Sequence, residues 1–229
     1  MDGTLRRKGV AGTIGDGIEW LRRNPVLIVL FFGYGLLELV GEFLGFLGGL
    51  VTLLGYLVYL YINGLVHVVG RDEAMGDPVD LGRASSAVLG QFVSLIGIFI
   101  VYVLAVGIGF VLLIIPGLYL GVRLSLALPA CVIDEKGVTE SLETSWSVAK
   151  GNLLKLFGIF LVSFLIVVGT AIATLLVTGF GEGFYLAFLV VSAVLTAVVT
   201  PIVQFAYARI YLENRSGSGD GEDVDHVAW

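Results

Sequence analysis

Long apolar runs separated by short polar interruptions dominate the chain. The runs fall at Pro25 to Leu47, Leu50 to Val69, Phe92 to Ile115, Leu118 to Ile133, Leu153 to Thr178 and Phe184 to Leu212. A helix needs about 20 mainly apolar residues to cross a bilayer, so the pattern predicts six transmembrane helices. The breaks are of two kinds. Gly48-Gly49, Pro116-Gly117 and Gly179 to Gly183 are tight and carry no Lys or Arg, and they pair the runs into three hairpins. The longer breaks contain segments too short and polar to cross, at Ile14 to Arg23, Leu81 to Gly90 and Thr139 to Lys150. Ile14, Ile18 and Leu21, like Leu142 and Trp146, recur at helical spacing, so these segments read as interfacial amphipathic helices with Trp20 and Trp146 as anchors.

The expected fold class is therefore all-α, a polytopic membrane bundle of six transmembrane helices in three hairpins with short interfacial helices. Residues 1–24 form an N-terminal segment with its interfacial helix, 25–212 the transmembrane domain, and 213–229 an acidic disordered tail. The hairpins also look repeated. Leu95 to Leu104 agrees with Leu156 to Leu165 at six of ten positions, each run starting four residues after Gln91 or Asn152, and Asn24 stands in the same place before the first run. A threefold array of interfacial helix plus hairpin follows.

Charge sets the orientation. Arg6, Arg7, Lys8, Arg22, Arg23, Arg71, Arg83, Lys136, Lys150, Lys155, Arg209 and Arg215 fall on or beside one side, which the positive-inside rule makes cytoplasmic, with both termini there. The apolar start expected of a secretory signal is interrupted by Gly12, Gly15, Asp16 and Glu19. The expected location is the cell membrane.

Composition narrows the function classes. With 57% hydrophobic and 14% charged residues in 229, a soluble globular fold is excluded. Nineteen acids against 13 bases give a net charge of −6, which argues against a nucleic-acid partner. Acidic, lysine-poor soluble segments suit a salt-rich cytoplasm and point to a haloarchaeal source. The single Cys131 allows no intrachain disulfide, and neither a catalytic motif nor paired metal-ligand spacing occurs, so no enzyme, cofactor or metal is expected. The acids Asp72, Glu73, Asp77, Asp80, Asp134 and Glu135 would hold a divalent cation only if their loops converged.

Intramembrane polar residues form the candidate site. Arg123 is the base that must lie within a run, and Glu38 and Glu42, on one face of the first run, are its expected partners. Tyr56, Tyr59, Asn63 and His67 form a polar stripe on the second run, and Ser192, Thr196, Thr200, Gln204 and Tyr207 another on the sixth, which Pro201 should kink. Arg123, Glu38, Glu42, Asn63, His67 and Gln204 make up the candidate polar site, either as interhelical packing or as a solute path. Gly41, Gly45 and Gly49, and Gly117 and Gly121, have GxxxG spacing suited to close packing within the chain or to a homo-oligomer. Pro129 should bend the fourth run and free the Ser125 carbonyl.

The stretch Ile115 to Pro129, then Asp134-Glu135, then Glu140 to Asn152, resembles the glycerophosphoryl diester phosphodiesterase membrane-domain family and its YciC-like bacterial relatives. The resemblance implies a six-span protein with signature positions at Pro116, Gly117, Arg123, Pro129, Glu135, Ser145, Trp146 and Gly151. This chain supplies no soluble phosphodiesterase domain, so the resemblance does not carry that activity over. Two functions remain: a non-enzymatic component that organises lipid or a membrane-protein partner in the bilayer, or a small-solute or ion transporter or channel with a polar path between helices.

Overall fold

The computed structural model describes residues 5–215, so 216–229 of the tail expected at 213–229 lie outside the described residues, while Glu213 and Asn214 belong to the last helix. Those described are helical, without a strand: α1 (Val10–Arg23), α2 (Val26–Glu42), α3 (Phe46–Met75), α4 (Leu81–Gly90), α5 (Phe92–Leu112), α6 (Ile114–Leu124), α7 (Ala127–Ile133), α8 (Val138–Lys150), α9 (Leu153–Thr178) and α10 (Glu182–Asn214). Three antiparallel pairs, α2–α3, α5–α6/α7 and α9–α10, form the hairpins, and α1, α4 and α8 form a collar around one end. Five helical stretches are long and apolar enough to cross a membrane, or six if α1 and α2 are taken together as one broken span. By itself α2 is 17 residues long.

Local chemistry places each boundary. Asn24 precedes Pro25, whose ring disfavours helical backbone at the residue before it, and α1 meets α2 there at 91°. The Asn24 amide stabilises the corner by donating to the Trp20 carbonyl at 2.9 Å and to Glu73 at 2.7 Å. The first hairpin turns at Phe43 to Gly45, ahead of the expected Gly48-Gly49. Gly45 adopts φ +55°, whereas Gly48 is helical and lies against the Gly41 carbonyl, where a side chain has no room. The second hairpin turns at the extended Leu113, so Pro116 sits in the first turn of α6, where its missing N–H costs no helical bond. A Cβ on Gly117 would stand 2.7 Å from the Phe110 nitrogen, which is what the PG pair supplies here. The third turn, Gly179 to Gly181, carries φ +69° and +144°.

The fourth run breaks where Pro129 removes the bond to Ser125, dividing it into α6 and α7. Pro201, by contrast, leaves α10 continuous. Two interfacial helices dock in the same way. The first residue of α8, Val138, occupies the notch at Gly97, where a Cβ would stand 2.7 Å away, and the first residue of α1, Val10, occupies that at Gly158, at 2.8 Å. Gly97 and Gly158 each lie six residues after Gln91 and Asn152, so the sequence repeat is also a repeat of packing.

The core sits at the collar end, where Leu27, Phe31, Val66, Leu126, Ala130, Phe205 and Ile210 are fully enclosed. Phe46, Val111 to Ile115 and Leu176 are open at the far ends, as suits apolar side chains in hydrocarbon. Trp20 belongs to this core, packed edge-on against Phe205, and so is no membrane anchor; Trp146, 41% exposed, keeps that option. Of the residues at GxxxG spacing, Gly41 lies against Gly48 and Val51 and Gly117 against Gly109 and Phe110, whereas Gly45 is in the turn and Gly49 has open space beside it.

Candidate functional site

The six expected polar residues do not form one site. They separate into three places. The expected pairing of Arg123 with Glu38 or Glu42 is absent among the described residues. Arg123 stands on the second hairpin against α8, while Glu38 and Glu42 stand on α2, which packs against α3 and α10. Counting depth along two helices ranks residues by height but is blind to which hairpins are neighbours, and here the neighbour of α6 is the collar.

Arg123 is 6% exposed and held by groups without formal charge. Its Nε donates to the Tyr119 hydroxyl at 2.9 Å, and its Nη1 to the Trp146 carbonyl at 2.5 Å. The guanidinium carbon lies 4.5 Å from the centre of the Trp146 ring and 5.4 Å from that of Tyr119, and the two rings meet edge to face. Such cation–π contacts contribute roughly 0.5–2 kcal/mol each, more where water is excluded. The helical backbone fixes the geometry. Tyr119 is four residues before Arg123 on the same face of α6, and Trp146 follows Ser145, which fastens α8 to the break in the fourth run. The Leu126 amide donates to the Ser145 hydroxyl at 3.1 Å, and that hydroxyl donates to the Arg123 carbonyl at 2.8 Å. An apolar groove of about 280 Å³, lined by Ile115, Leu118, Tyr119, Val122, Leu153, Leu154 and Phe157, runs beside this arrangement between α6 and the start of α9.

The second place is inside the bundle. Asn63, His67 and Gln204 converge between α3 and α10, with Tyr59 facing both Asn63 and Gln204. Asn63 donates to the Tyr59 carbonyl at 2.7 Å, but its side-chain oxygen has no partner. The fully enclosed His67 faces the Gln204 backbone, though neither ring nitrogen reaches full hydrogen-bond geometry. A cavity of about 220 Å³ opens beside them, with Tyr59, Tyr102, Ser125, Gln204 and Tyr207 as its polar lining. The upper part of the α10 stripe, Ser192, Thr196 and Thr200, faces α9 instead, across a cavity of about 230 Å³.

The third place is at the far end of the first hairpin. Glu42 accepts a hydrogen bond from Tyr185, and Glu38 lies against Gly55 with one enclosed oxygen lacking a partner.

The collar acids are engaged locally. Asp72 pairs with Arg71 at 3.1 Å and Arg83 at 2.9 Å, Asp80 caps α4, and Asp134 meets Tyr211 at 2.5 Å and Arg215 at 3.0 Å. Arg209 stands 2.8 Å from Asp16 and 3.0 Å from Glu213, which also takes Lys155 at 2.6 Å, joining α1, α9 and α10. Among the described residues no three His, Cys, Asp or Glu side chains gather as metal ligands would.

Sequence reasoning missed Tyr119, Tyr102 and the role of Trp146 beside Arg123. The i−4 position of Tyr119 was available as a signal; the contact between α6 and α8 had none.

The model for the membrane domain of glycerophosphoryl diester phosphodiesterase matches residues 96–213, which take in α6, α8, Arg123 and Gln204. No curated protein and no solved structure matches the chain.

Proposed function

The chain belongs to the glycerophosphoryl diester phosphodiesterase membrane-domain family, and from that premise we propose that it is a non-enzymatic, multi-pass component of the cell membrane that organises the lipid around it. Its collar is the observation that supports this reading. Three amphipathic helices stand at one end, α8 and α1 docked in glycine notches and α1 tied besides by an ion pair to α10, which suits a ring at headgroup level. The match is to a membrane domain and to no catalytic domain. With the collar on the cytoplasmic side, both termini lie there and the three tight turns lie outside.

Extraction of the full chain from membranes into polymer-bounded native discs tests the proposal. The discs should hold a lipid composition distinct from the bulk membrane. A composition identical to bulk overturns the reading.

The cavity lined by Tyr59, Tyr102, Ser125, Gln204 and Tyr207 favours one other function, conduction of a small polar solute, since these polar side chains could serve a passing solute. Solute flux in proteoliposomes that falls on Gln204→Leu would support that alternative.

A further inference from the structure

We propose that Arg123 and the groove beside it form a binding site for a single phospholipid with an anionic headgroup, with the phosphate on the guanidinium and one hydrocarbon chain along the groove. The site deepens the lipid-organising function and rests on it.

The argument starts from an uncompensated charge. A guanidinium has five N–H donors, and Arg123 uses one on Tyr119 and one on Trp146, both of them neutral acceptors. No carboxylate lies within ion-pair distance among the described residues, although the residue is 94% removed from solvent. A buried cation without an anion is costly, and aromatic faces offset only part of the cost. Nη2 has no partner among the described residues, yet it is not among the sealed polar atoms as those of Asn63 and His67 are. A fork of unused donors therefore meets the protein surface, and Arg presents such a fork in the geometry that suits two phosphate oxygens.

The surroundings select the anion. Tyr119 is both a partner of Arg123 and a wall of the groove, so the charged and apolar parts are continuous. The other lining residues, Ile115, Leu118, Val122, Leu153, Leu154 and Phe157, are wholly apolar, and Ile115 and Leu154 are largely open on the outer surface of α6 and α9. A free phosphate would use the guanidinium and leave the groove empty, whereas a phospholipid fills both. Lys150, a second cation, is exposed at the end of α8, three residues before Leu153 in the chain. Basic pockets between membrane helices at the cytoplasmic face are suited to anionic headgroups.

Native mass spectrometry of the purified full chain, titrated with phosphatidylglycerol, phosphatidylcholine or inorganic phosphate, tests the assignment. The wild type should retain one phosphatidylglycerol at least tenfold more tightly than phosphatidylcholine, with no adduct from inorganic phosphate. Arg123→Gln should abolish that preference, and Arg123→Lys should keep part of it. Leu154→Asp provides a variant that leaves Arg123 in place. It changes an exposed side chain in the first turn of α9, where a carboxylate suits the helix dipole, and it should weaken the same lipid at least tenfold by placing a negative charge in the groove. Equal retention of phosphatidylglycerol by wild type and Leu154→Asp, or by wild type and a folded Arg123→Gln, overturns the site. A phosphate adduct of comparable strength overturns the lipid as its occupant. If native discs of Arg123→Gln keep their distinctive lipid composition, only the site fails; if wild-type discs match the bulk membrane, the functional reading fails with it.

Discussion

Replacing Ser145 by alanine removes one oxygen atom and should destabilise the protein by about 2–4 kcal/mol. Ser145 is fully enclosed, and its hydroxyl joins the two ends of the helix break, accepting from the Leu126 amide and donating to the Arg123 carbonyl. Alanine leaves the amide buried without a partner, at about 1–3 kcal/mol, and deletes a second hydrogen bond with a net contribution of about 0.5–1.5 kcal/mol. Alanine also fits the space, so packing contributes little to the loss. Equilibrium unfolding of the purified protein in mixed detergent micelles measures the difference, with Ser147→Ala, at an exposed position on the same helix, as the neutral comparison. The reasoning makes a further demand. In a Pro129→Ala background the helix can close, Leu126 can bond to Val122 in the ordinary way, and the cost of losing Ser145 should fall by at least about 1 kcal/mol. A loss below about 0.5 kcal/mol for Ser145→Ala, or full additivity with Pro129→Ala, refutes the idea that this hydroxyl sustains the break.

Other expectations follow from the collar. Arg209→Met removes one of the two cations at each of Asp16, which keeps Lys8, and Glu213, which keeps Lys155, and should cost about 1–3 kcal/mol by the same unfolding measurement, a loss under about 0.5 kcal/mol counting against the ion-pair clamp. Gly158→Leu should cost about 1–3 kcal/mol by displacing Val10 from its notch, while Gly169→Leu, with open space around it, should be neutral or slightly stabilising. In intact cells a membrane-impermeant maleimide should label Phe180→Cys, at the open turn between α9 and α10, and spare Ser147→Cys on the collar. The reverse pattern would invert the orientation.

The membrane-spanning helical character of the long runs, the three hairpins and the three collar segments were legible in the sequence, because hydrocarbon imposes its requirement on each segment separately, whereas the helix ends were not: α2 stops at Glu42 and α3 runs on to Met75. A run of apolar residues long enough to cross must satisfy its own backbone as a helix, and no knowledge of its neighbours is needed to see it. The break at Ser125 was readable for the same reason, since Pro129 acts on the carbonyl four residues before it. The docking of α8 on α5 and of α1 on α9 left a trace in the aligned Gly97 and Gly158, although the partner of each notch was not written there. Which hairpins adjoin was a matter for tertiary structure alone. Helices whose outer faces are all equally apolar carry little to rank one neighbour over another, so charge complementarity between Arg123 and Glu38 or Glu42 looked sufficient. Packing placed them on different hairpins. It gave Arg123 two aromatic rings, a backbone carbonyl and an open apolar groove, and it moved Trp20 from the membrane surface into the core.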